Sequence, residues 1–184
     1  MHNKIKTIVL LLIMVILFGC KPDKREGYTL YENDSYGFSI EYPEDWTSRE
    51  GFGKESESGM GAIVVFQSPS EGKKDLFREN TYIFSEDLPD SVKNVTQYME
   101  YSKSALPAQM NEFEVLEEGS AEMDGEKSEW IIFTYVQRLQ KLQSIAYIFH
   151  RGDYGLVVIS SSRPDSFMSF RRTFENIATS IKFE

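Results

Sequence analysis

Residues 38–42, FSIEY, alternate apolar and polar positions, which sets Phe38, Ile40 and Tyr42 on one face of a half-buried strand, and Pro43 closes the run. Residues 62–66 and 81–84 are short β-branched and aromatic runs that read as further strands. Another strand opens near Phe113 and leads into Met123-Asp124-Gly125-Glu126. Asp-Gly between two strand-like runs is a hairpin signal, because both residues tolerate a positive φ. Its partner covers residues 130–136. A polar turn around 139–142 precedes a strand at 145–150, and a second turn at 152–155 precedes one at 156–160. These consecutive hairpins predict an antiparallel meander.

Two segments switch to the helical period. Asn94 with Gln97 three residues later has the spacing of a capping box. Val95, Tyr98, Met99, Ser102, Ala105 and Leu106 follow on one face, until Pro107 should end or bend the helix. The closing segment places Ser162 as cap, Pro164 in the first turn and Asp165 where the helix dipole favours an acid. Phe167, Phe170, Phe174, Ile177, Ala178 and Ile181 then form a wide apolar stripe. An antiparallel sheet covered by two main amphipathic helices is an α+β layered domain.

The N-terminus adds an address. Lys4 and Lys6 precede an unbroken apolar run over residues 8–18. That is far short of the ~20 residues a membrane-spanning helix needs, and it has the length of a signal-peptide core. Leu17-Phe18-Gly19-Cys20 resembles the lipobox of prokaryotic lipoproteins, with Phe18 in place of the usual small residue. Cys20 is the only cysteine among 184 residues. The resemblance implies a diacylglyceryl group on the Cys20 sulfur, cleavage before it, and stable anchoring, since two acyl chains hold where one does not. The expected organisation is a signal peptide over 1–19, lipidated Cys20 with a charged tether to residue 27, and one domain over 28–184. The tether from Lys21 to Gly27 spans at most ~25 Å, which keeps the domain close to the bilayer. A net charge of −9 argues against nucleic acid as a partner. No cysteine follows Cys20, so stability rests on packing rather than disulfides.

The order of elements is similar to the PsbP-like family. The resemblance rests on YGFSIEYPEDW at 36–46, on VFQSP at 65–69 followed by Glu79-Asn80, and on the Asp124-Gly125 hairpin. The closing helix contributes Pro164-Asp165-Ser166-Phe167, Phe174-Glu175-Asn176-Ile177 and Ser180. It implies an α/β/α sandwich around an antiparallel sheet. The family's plant and cyanobacterial members are extrinsic photosystem II proteins that help retain calcium and chloride, and a Ran-binding import factor shares the fold. A binding-type role follows from that resemblance, and no ion site is carried over.

Catalysis has few residues to work with. His150, the only histidine after the signal, sits beside Arg151 at a strand end with no nucleophile in sequence context, and reads as a surface or satisfied strand residue. Ser70 and Lys73 have the Ser-x-x-Lys spacing, but in a polar loop and without the companion strings of penicillin-binding enzymes. Glu112, Glu114, Glu117, Glu118 and Glu122 cluster along a strand that splits them between faces, which describes a solvated acidic edge rather than a calcium or magnesium site. Trp46, Trp130, Tyr42 and Tyr135 could build a sugar-stacking surface, but their apolar context favours the core. Asn33 and Asn94 head glycosylation sequons that carry no meaning in a prokaryotic lipoprotein. The expectation is therefore a lipid-anchored extracytoplasmic protein with a non-catalytic, protein-binding accessory domain. It has Cys20 as its one site residue, no cofactor and no metal, and its partners are membrane lipid through Cys20 and a membrane or envelope protein. The alternatives are a sugar- or divalent-cation-binding lipoprotein serving a transporter or sensor, and a hydrolase with an unrecognised site.

Overall fold

A computed structural model describes residues 25–51, 60–73 and 75–184; the segment read as a signal peptide and Cys20 lie outside the described residues. Two antiparallel sheets and two helices make the fold. The larger sheet has seven strands: β3 (Thr47–Glu50), β4 (Met60–Gln67), β5 (Asn80–Asp87), β6 (Asn111–Met123), β7 (Glu126–Gln137), β8 (Gln140–Arg151) and β9 (Tyr154–Ser162). Their spatial order is β3-β4-β5-β9-β8-β7-β6. The predicted meander is β6 to β9. A second meander, β3 to β5, joins it through the antiparallel β5–β9 pair. A smaller sheet combines β1 (Tyr28–Asn33), β2 (Phe38–Pro43) and β10 (Lys182–Phe183), with β2 in the middle. Helix α1 spans Val95–Gln109 and α2 spans Phe167–Thr179.

Strand periodicity sorts the side chains onto the two faces of the large sheet. Ile132, Ile145, Tyr147, Phe149, Leu156 and Val158 join one core with Phe167, Phe174 and Ile177 of α2 and with Tyr31, Phe38 and Ile40 of the small sheet. Their neighbours Ile131, Phe133, Ala146, Ile148 and Val157 join the other core, with Tyr98 and Met99 of α1. The β-bulge at Ala62/Val64 breaks the alternation, so that consecutive Ile63 and Val64 both enter the α2 side.

Several boundaries differ from the sequence reading, each for a local reason. The hairpin at Asp124-Gly125 has both residues at positive φ, as expected. The next turn is only Arg138-Leu139, so β8 already begins at Gln140, and the turn after it is Gly152-Asp153, with Tyr154 and Gly155 already in β9. Ser162 does not cap α2. It is the last, buried residue of β9, its hydroxyl donates to the carbonyl of Arg163, and the chain makes one more turn before the helix starts at Phe167. Helix α1 begins as predicted: the Asn94 side chain accepts from the Gln97 amide at 2.9 Å. The Gln97 side chain reaches back to the Lys93 amide at 2.7 Å, one residue before the cap. The helix runs two residues past Pro107 before the chain becomes extended at Met110.

Candidate binding cavity

Helix α1 packs on β6, β7 and β8. Near its start, Thr96 donates to Glu129 of β7, and at its end the chain turns directly into β6, where Asn111 faces Val136. Tyr98 fixes the helix height. Its ring lies over Gly155, where any Cβ would overlap it, and its hydroxyl donates to the carboxylate of Glu86 on β5. Burial pushes the Tyr98 hydroxyl far above its ordinary pKa, and burial also raises the Glu86 carboxyl, with the Tyr98 hydrogen bond pulling the other way.

Because α1 packs on β6, β7 and β8, it leaves a cavity of about 230 Å³ on its β5 side. The floor is built by alternate residues of four adjacent strands, among them Phe84, Ile148, Val157 and Ile159; Met99, Leu106 and Met110 supply the helix side. Tyr101, Ser102 and Gln109 stand at the rim, and Glu86 is the lining's one carboxyl. No lysine, arginine or histidine lines it among the described residues. Such a lining holds apolar matter and orients it through few polar groups.

The residues singled out in the sequence lie elsewhere. Cys20 is outside the described residues. His150 is half-buried, with Nε2 3.3 Å from the carbonyl oxygen of Val92, while Arg151 pairs with Glu126 at 2.7 Å and covers the Phe183 ring. Ser70 bonds the backbone of its own exposed loop at Gly72. The β6 glutamates divide between faces as their spacing required: Glu117 meets Arg171 of α2 at 3.1 Å, and Glu118 meets Lys103 of α1 at 2.7 Å. Among the described residues no group of three or more histidine, cysteine, aspartate or glutamate side chains could hold a metal ion. The aromatics pack inward. Trp46 is buried edge-on to Phe174, Tyr42 stacks on Phe66 with centroids 4.2 Å apart, and Trp130 occupies the space above Gly119. Asn33 closes a turn by accepting from the Tyr36 amide, and Asn94 caps α1.

Sequence reasoning used Glu79 only as part of the family pattern, and missed both its burial and the cavity. Glu79, only 6% exposed, accepts from Ser68 and from Ser166, tying the loop after β4 to the start of α2. Its isolation between Arg78 and Asn80 gave no hint of burial. Of the cavity's residues, the sequence places Met99, Ser102, Ala105 and Leu106 on one face of α1 and others in strand runs, without a space between them.

No family model matches the chain, and no curated protein matches it by sequence. Solved structures do. The solution structure of cyanobacterial PsbP (CyanoP) from Synechocystis sp. PCC 6803 superposes with a TM-score of 0.62 at 16% identity, covering 91% of this chain and 99% of that one. LpqN, described as involved in cell envelope biogenesis of Mycobacterium tuberculosis, gives 0.58 at 12% identity over 84% and 89%. A Pseudomonas aeruginosa protein of unknown function, described as a putative regulator, gives 0.57 at 12% over 83% and 94%. Identities this low speak to architecture alone. With its antiparallel sheets, its two helices and the superposition over almost the whole of CyanoP, the chain has the PsbP-like fold.

Proposed function

We propose that this chain is a membrane-anchored extracytoplasmic lipoprotein whose PsbP-like domain is a non-catalytic accessory module that binds through the cavity beside α1. The observation that carries the reading is the cavity's lining: apolar, with its single carboxyl already engaged by Tyr98. A reacting site needs convergent polar groups aimed at one point, and here the one ionisable acid is held by Tyr98 while the other polar groups stand at the rim. The domain is an α/β/α sandwich in this reading, with α1 over one face of the sheet and α2 over the other. Anchoring at Cys20 places it within a short tether of the bilayer, where its protein partner is a membrane or envelope protein. Similarity to LpqN, described as an envelope biogenesis protein, supports an envelope setting, and no described helix is long and apolar enough to cross a membrane. A sugar or divalent-cation site, the alternative from sequence, gains no support from an apolar lining.

The test is cell fractionation of the wild-type protein and a Cys20→Ala variant, with metabolic palmitate labelling and crosslinking in intact cells. The expected result is a labelled, membrane-bound wild type with a reproducible crosslinked partner, and an unlabelled variant that keeps its signal segment. Equal labelling of the two would end the lipoprotein reading.

A further inference from the structure

We infer that the cavity beside α1 is a site for a single alkyl chain carrying an uncharged polar head, with the chain lying along the helix between Met99 and Met110. This deepens the binding role proposed above and rests on it.

Shape, lining and charge each narrow the occupant. The helix covers about 16 Å between those two methionines at ~1.5 Å per residue. A volume of about 230 Å³ distributed along such a length is one chain wide. Away from Glu86 and the polar rim the lining is aliphatic and aromatic, which favours an apolar occupant. Methionines at both ends suit a site whose occupant varies in length, because their unbranched side chains repack at little cost. The head group is constrained by charge. The lining offers Glu86 and no cation, on a protein of net charge −9. A carboxylate or phosphate head would meet a like charge and no partner. Tyr101, Ser102 and Gln109 at the rim supply hydrogen bonds that a hydroxyl-bearing head can use.

The experiment titrates the full mature domain with 1-decanol and with decanoate, each below its aggregation threshold, and follows the thermal midpoint together with methionine-methyl NMR. Decanol is expected to raise the midpoint in a dose-dependent way, as a native-state ligand must. It should shift the methyl signals of Met99 and Met110, leaving Met168, exposed on α2, and Met123, buried in the opposite core, in place. Decanoate is expected to bind about tenfold more weakly. Ala105→Trp and Ser102→Phe place bulk in the cavity from half-buried positions that tolerate it. Each should abolish both the stabilisation and the methyl shifts while keeping a cooperative melt, and the pair guards against one of them misfolding. Absence of any decanol effect, equal or tighter binding of decanoate, or decanol binding that survives both substitutions would overturn the inference. Membrane labelling at Cys20 and the crosslinked partner are read separately, so either result leaves the proposed function to its own test.

Discussion

Tyr98 is wholly buried, yet it ends in a hydroxyl, and the fold spends a glycine and a carboxylate to accommodate it. Gly155 is needed for space: a methyl group there would occupy the position of the Tyr98 ring. Gly155→Ala should therefore lift α1 from β9 and cost about 1–3 kcal/mol, the usual penalty of overpacking, read as a lower urea midpoint. Glu86 gives a prediction in pH. Its carboxyl is raised in the folded state by burial, so the folded protein holds that proton more tightly than the unfolded chain does. Below the ordinary carboxyl pKa both states are protonated and the group is neutral for stability. As pH rises from there through the raised folded value, this group makes the folded state progressively less favourable. Glu86→Gln keeps an acceptor for Tyr98 and has nothing to titrate. Its urea midpoint should decline less between pH 4 and 7 than the wild type's, a range about the ordinary carboxyl value, and parallel profiles would rule out Glu86 as the source.

Among the elements, the β7–β8 hairpin is the one whose residues fit their backbone worst. Arg138 and Leu139 sit at φ of 49° and 67°, the left-handed region that Asn and Gly occupy with little strain, and Leu139 is almost fully exposed. Replacing the pair by Asn-Gly should raise stability by about 1–2 kcal/mol by relieving that strain, measured by chemical denaturation. A neutral or negative change would rule out backbone strain at this turn as a cost to the fold. The α1 start is better matched, and Asn94→Ala should cost about 1 kcal/mol by orphaning the Gln97 amide. These two elements also mark what could be read from sequence. Turns and caps with a side-chain signature, Asp124-Gly125 and Asn94, were legible because one residue's chemistry dictates them. β3 was not: all four of its residues are exposed, and only pairing with β4 makes it a strand. β10 is two residues long and exists through β2. Ser162 carried a helix-cap signature that burial in β9 overrode. The cavity was invisible for a different reason. Its floor comes from alternate residues of four strands, and alternation identifies an inward face without telling whether anything covers it.

At the scale of the molecule, one sheet serves two cores, and this ties their fates together. β7, β8 and β9 contribute consecutive residues to opposite faces, so the backbone that holds Ile132 and Val158 against α2 also holds Ile131 and Val157 beneath α1. Neither core can lose its strands and leave the other intact. Both tryptophans belong to the α2 side, Trp46 buried and Trp130 partly buried against it, whereas far-UV circular dichroism reports the sheet and helices as a whole. Under urea the two signals should coincide in a single transition, as a two-state domain requires. Phe174→Ala, which removes a fully buried ring from the α2 core, should move both by the same amount, corresponding to about 3–5 kcal/mol. Combined with Met99→Ala on the α1 side, the two costs should add to within about 0.5 kcal/mol, because the residues occupy different cores and share no partner. A fluorescence transition that preceded the dichroism change in Phe174→Ala would mean that the α2 side opens by itself. The cavity beside α1 would then stand on a sheet that outlives its other face, and decanol would protect the second transition rather than the first.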